Sequence, residues 1–114
     1  MDKIEIKLTD SQIDGVCTDI QNALRNIYNN EAEKMWDNNE SESEAEISND
    51  IEVYAEELTI KIKYCMKIEL NGNIYDGWWV EIKTLEIEVL KVILVDIPVK
   101  LNKEDINTIE NIII

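Results

Sequence analysis

From Leu58 to Leu70 the chain alternates without a fault. Leu58, Ile60, Ile62, Tyr64, Met66, Ile68 and Leu70 are apolar, and Thr59, Lys61, Lys63, Cys65, Lys67 and Glu69 stand between them. A period of two over that length is a two-sided strand with one face buried. Asn71-Gly72-Asn73 follows as a hairpin signal, and Trp78, Val80 and Ile82 mark one face of the return strand.

The phase of the two strands selects the turn. A two-residue loop at Asn71-Gly72 pairs Ile62 with Glu81 and mixes the faces. A three-residue loop pairs Met66 with Trp78, Tyr64 with Val80 and Ile62 with Ile82, with Gly72 or Asn73 near the left-handed region. That register sets Lys63 against Glu81. Past Lys83 the parity flips to Leu85, Ile87 and Val89, so a β-bulge is expected near Lys83-Thr84-Leu85, with Leu85 set against Ile60.

The flanks add smaller elements. Ile4, Ile6 and Leu8 alternate as a half-buried strand, and Thr9 or Asp10 offers a helix cap. Ile13, Val16, Ile20, Leu24 and Ile27 then share one helical face, with Cys17 and Ala23 beside them. Asn29-Asn30 is a natural stop, and Ala32, Met35 and Trp36 are able to extend the helix. Residues 89–95 are apolar enough for a strand covered on both faces. Pro98 makes Ile97–Leu101 an edge strand or a turn. Asn102 caps a last helix carrying Ile106 and Ile109, with Glu104 and Asp105 in its first turn. The segment Ile4–Ile13 echoes Ile97–Ile106 as strand, cap and helix start, a pattern on which such junctions converge.

Residues 37–50 break the pattern. They have little apolar bulk to offset the entropy of ordering, and they are expected to form a mobile acidic loop. The whole predicts one α+β domain over 1–114. A long bulged antiparallel hairpin lies in a small sheet between an N-terminal strand and a C-terminal edge strand. The N-terminal amphipathic helix packs on its apolar face, and a short helix ends the chain.

Little catalytic chemistry is visible. There is no histidine, so neither a His-based triad nor an imidazole zinc ligand exists. The three glycines are isolated and make no phosphate loop, and no cofactor is implied. Cys17 sits on an apolar helical side. Cys65 stands among Lys61, Lys63 and Lys67, which would lower its pKa, but no base accompanies it. Asp76, Glu81, Glu86 and Glu88 can be paired on paper, as chance dictates in a chain with 25 acidic residues. An EF-hand loop begun at Asp37 needs Gly sixth and Glu twelfth, where Glu42 and Ser48 stand. An enzyme is not expected.

Charge carries more. The formal net charge is −14, which opposes direct nucleic-acid or membrane binding and favours a basic protein partner. Residues 31–57 hold Glu31, Glu33, Asp37, Glu40, Glu42, Glu44, Glu46, Asp50, Glu52, Glu56 and Glu57 against Lys34 alone. In an extended chain Glu40, Glu42, Glu44 and Glu46 stand about 6.6 Å apart. Phosphates on one DNA strand recur every ~3.4 Å of axis, so mimicry needs a second acidic row.

The bland alternative is a solubilising loop. Trp79 shares a face with Lys61, Lys63, Lys67 and Lys83, either as an exposed anchor or as core beneath a helix. The N-terminus lacks the regions of a signal peptide, and no apolar run spans a bilayer, so a cytoplasmic protein is expected, in the host cytoplasm if the gene is viral.

The leading expectation is a small acidic protein-binding module, of the kind a phage or mobile element uses to occupy a basic, nucleic-acid-binding surface. Glu40, Glu42, Glu44, Glu46, Asp50, Glu52, Glu56, Glu57 and Trp79 would make the contact. The alternative is a structural or adaptor subunit that forms homo-oligomers through the hairpin edge and the Ile112-Ile113-Ile114 terminus.

Overall fold

A computed structural model describes residues 3–38, 44–73, 75 and 77–113. Its spine is the alternating segment. Strand β3 (Leu58–Asn73) pairs antiparallel with β4 (Gly77–Leu94) on one side and β2 (Glu44–Ala55) on the other. Strand β5 (Ile97–Leu101) joins β4 antiparallel, and β1 (Ile4–Ile6) joins β5 in parallel, giving the order β1-β5-β4-β3-β2. Helix α1 (Asp10–Asp37) and the short α2 (Lys103–Glu110) complete an α+β fold.

Helix and sheet match in length. The 28 residues of α1 span about 42 Å. The alternating part of β3 runs a similar distance at about 3.3 Å per residue. Val16, Ile20, Leu24, Ala32 and Met35 of α1 are buried with Ile60, Ile62, Tyr64, Met66, Ile68 and Leu70 of β3 in one core. Asn29-Asn30 does not stop the helix, because Ala32 and Met35 continue its buried stripe.

Thr9 is the cap. Its hydroxyl accepts from the Gln12 N–H (3.1 Å), while the Gln12 side chain accepts from the Thr9 N–H (2.9 Å). Asn102 caps α2 by accepting from the Asp105 N–H at 2.8 Å.

Several expectations change. Residues 44–50 are strand, not loop: Ala45, Ile47, Ile51, Val53 and Ala55 face the core side and give β2 the same alternation as β3. At its other end Asp37 still belongs to α1 and Asn38 caps that helix, while residues 39–43 lie outside the described residues. The hairpin turn falls later than Asn71-Gly72-Asn73, since Asn73 pairs with Gly77. Gly72 takes a positive φ of 148°, as its position near the turn suggested. The pairs are therefore Leu70 with Val80 and Ile68 with Ile82, and Lys63 faces Glu88 rather than Glu81.

The bulge at Lys83 is present, but Leu85 meets Met66 there, and a second bulge follows at Leu90. Residues 89–95 are not covered on both faces, because Leu90 bulges outward at 42% exposure and Val95 belongs to a turn. Strand β5 is not an edge: β4 flanks its first half and β1 its second. Pro98 sits one residue before β1 begins to pair, where a missing N–H costs nothing on that side.

Candidate functional site: the open face of the sheet

Only one face of the sheet carries the core. On the other face the side chains form an ordered charge pattern set by register. β2 presents Glu44, Glu46, Ser48, Asp50, Glu52 and Tyr54. β3 sets Glu69, Lys67, Cys65, Lys63, Lys61 and Thr59 opposite them, in that order. β4 then sets Glu81, Thr84, Glu86, Glu88, Lys91 and Ile93 beside the same β3 residues. A row of lysines is thus flanked by two acidic rows. Those rows are two strand spacings apart, about 9.6 Å.

One rung is all acidic. Glu44, Glu69 and Glu81 lie side by side across three strands. Lys67 bridges Glu44 at 3.0 Å. Lys83, the residue left unpaired by the bulge, bridges both Glu69 and Glu81 at 3.1 Å. The bulge therefore places a cation where the ladder would otherwise oppose like charges. These glutamates hold the Lys83 ammonium above its ordinary pKa.

The expected site residues separate into three places. Glu44, Glu46, Asp50 and Glu52 form one row on β2. Trp79 lies one rung beyond the glutamate rung, opposite Asn71, and is 51% exposed, so it is not core. The Asn71 amide nitrogen beside it is buried with no hydrogen-bond partner among the described residues. Glu56 and Glu57 form the β2–β3 turn, at the other end of β2 from Glu44. Glu40 and Glu42 lie outside the described residues. Glu33 and Asp37 are exposed on α1, so the acidic run of the sequence is spread over helix, sheet face and turn.

Small side chains at Ser48 and Cys65 leave a depression of about 370 Å³, rimmed also by Lys63, Glu86 and Glu88. The Cys65 thiol donates to Glu46 Oε1 at 3.4 Å, and this bond, with the charges of Glu46 and Glu86, raises its pKa. The flanking lysines do not activate it, contrary to expectation. Burial, then Asp14, pushes the Cys17 thiol up as well. Among the described residues no group of three Cys, Asp or Glu side chains is disposed to hold a metal ion. A second depression, about 200 Å³, lies where β4 parts from β5 and is rimmed by Lys3, Lys91 and Lys100. No helix among the described residues is long and apolar enough to cross a membrane.

The acidic row was visible in the sequence as composition, but its neighbours were not. The signal was there in Ala45, Ile47, Ile51 and Val53, alternating with Glu44, Glu46, Asp50 and Glu52. Comparison with protein-family models, with curated proteins and with solved structures found no match to this chain.

Proposed function

We propose that this protein is a binding module that engages a basic protein partner through the open face of its sheet. The observation that carries this reading is the β2 row. Glu44, Glu46, Asp50 and Glu52 stand exposed at the rim of an uncovered face, in a chain of net charge −14. A field of that sign attracts and orients a cationic surface. Trp79 adds an exposed aromatic at one end of the same face, the residue type most often found to anchor protein contacts.

This reading is narrower than nucleic-acid mimicry. Lysines lie between the two acidic rows, so the face offers an alternating pattern rather than two bare lines of phosphate-like charge. Assembly through the C-terminus has less support. Ile112 packs against the core and the Ile113 carbonyl accepts from the Gln21 side chain at 2.9 Å, which leaves the Ile113 side chain, 82% exposed, as the apolar group this end offers among the described residues.

The test is capture of partners from the cells that express the gene, with three baits. They are the wild type, a sheet-face variant (Glu46→Lys, Asp50→Lys, Glu52→Lys) and a helix variant of equal charge change (Glu31→Lys, Glu33→Lys, Asp37→Lys). A basic protein that elutes with salt should be held by the wild type and the helix variant and lost by the sheet-face variant. Equal capture by all three baits would remove the proposal.

A further inference from the structure

Among the described residues two long stretches of strand are open on one side, β2 and the part of β4 before β5 joins it, and they are built differently. The outer edge of β4 is interrupted by bulges at Lys83 and Leu90, and its Val89 N–H is taken by the Glu110 carboxylate at 2.9 Å. Such devices are how edge strands are protected from pairing. β2 has no such bulge, and of its outward N–H groups Asp50's alone is taken by a side chain among the described residues, that of its neighbour Asn49. The strand's register with β3 runs unbroken from Glu44↔Glu69 to Ala55↔Leu58, and it contains no proline.

The outward-facing backbone of β2 can be identified. The Asp50 N–H is bonded at 2.8 Å by the side chain of Asn49, its own neighbour, not by β3. In an antiparallel strand alternate residues direct both backbone groups to one side. Glu44, Glu46, Ser48, Asp50, Glu52 and Tyr54 therefore direct their N–H and C=O groups outward, with Asp50's N–H released to a new strand only when that strand displaces the Asn49 side chain, and the same residues carry the acidic row. Backbone acceptance and side-chain charge coincide on one set of positions.

A second copy of the chain does not fit there. An antiparallel pair centred on Ser48 opposes Glu44 to Glu52 and Glu46 to Asp50. Centred on Asn49 it opposes Glu46 to Glu52, and centred on Asp50 it opposes Asp50 to itself. Each register places like charges directly opposite, which is destabilising. What does complement β2 is visible within the fold: β3 sets Lys67, Lys63 and Lys61 against Glu46, Asp50 and Glu52. On the helix side Ile47 and Ile51 are only half-buried, leaving apolar surface for a neighbour to cover.

We infer that the outer edge of β2 accepts a strand from the partner protein, one in which Lys or Arg alternates with apolar residues. This rests on the binding reading above and specifies its mode. The added strand continues the sheet, its basic residues facing the acidic row and its apolar residues covering Ile47 and Ile51.

The test uses the full-length, isotope-labelled protein and a capped ten-residue peptide of alternating Lys and Val. The peptide should slow amide exchange at Glu46, Ser48, Asp50 and Glu52, and leave Ile47, Ile51 and Val53, already paired with β3, unchanged. Two controls should not bind: the same peptide with its alternate pairing amides N-methylated, and a Glu-Val peptide. Ser48→Pro removes one outward donor without touching the β3 ladder, and should abolish binding while far-UV circular dichroism is unchanged. Equal binding of the N-methylated and parent peptides would overturn strand addition and leave the charge-based proposal standing. Failure of the Lys-Val peptide to bind would also overturn it, with the capture experiment deciding the broader reading separately.

Discussion

Asp105 is the one charged side chain among the described residues that is buried, at 7% exposure. It accepts from the Leu8 N–H at 2.8 Å and so ties the first strand-to-helix junction to the last. Asp105→Ala strands that buried donor and should cost about 1–3 kcal/mol in chemical denaturation, with Asp105→Asn milder because an acceptor remains. At the β4–β5 turn, Val95 (φ 48°) and Asp96 (φ 64°) both take left-handed angles, and a β-branched residue is costly there. Val95→Asn should raise stability, by up to about 1 kcal/mol.

Cys65 gives a chemical readout. In a Cys17→Ser background its alkylation at neutral pH should be slow, and Glu46→Gln should speed it by lowering the thiol pKa towards its ordinary value. Lys83 works in the opposite charge sense. Its folded pKa lies above the ordinary 10.5, so its stabilisation is complete below that value and is lost as pH rises from there through the elevated one. Lys83→Gln should lower the thermal midpoint at neutral pH, with the deficit shrinking as salt screens the Glu69–Glu81 pair. The caps at Thr9 and Asn102 and the bulge at Lys83 were legible in sequence, because each is a local pattern. The direction of the Cys65 shift was not, because its cause, Glu46, is a neighbour only once β2 pairs with β3.

Elements were legible where alternation was strong. β3 and the buried face of α1 could be read directly. β2 could not, since Ala45 is small, Asn49 interrupts the apolar set and glutamate dominates the composition. Its strand state comes from tertiary context: β3 supplies lysines on one face and α1 supplies core beneath the other. The hairpin turn was displaced for a similar reason. Asn71-Gly72-Asn73 carries the stronger local turn signal, but pairing through Asn73↔Gly77 keeps Leu70 opposite Val80 and extends the ladder. Gly72 remains essential there, because a Cβ at its φ of 148° would meet the Gly77 carbonyl and the Trp78 backbone. Gly72→Ala should loosen the tip, read as faster amide exchange in residues 77–81 with the β2–β3 ladder unaffected. Within α1, Leu24→Ala opens a cavity at a fully buried position and should cost about 2–5 kcal/mol.

At the scale of the whole molecule, shape and charge act together. The Cα radius of gyration is 16.6 Å, where a compact domain of this length has roughly 13 Å, and the extents are 55 × 25 × 22 Å. An elongated single-layer sheet with one helix along it leaves a long face uncovered, and that face holds Lys61, Lys63, Lys67, Lys83 and Lys91 beside two acidic rows. Excess negative charge repels itself, so the thermal midpoint should rise as ionic strength increases. Partner binding should weaken over the same range. The contact surface proposed above is β2 with its acidic row. The most direct measurement is the amide-resolved footprint of the captured basic partner on the labelled full-length protein. Perturbations should concentrate at Glu44, Glu46, Ser48, Asp50 and Glu52 and reach the Trp79 indole. A footprint confined to the outer face of α1 or to α2, with β2 unperturbed, would contradict it.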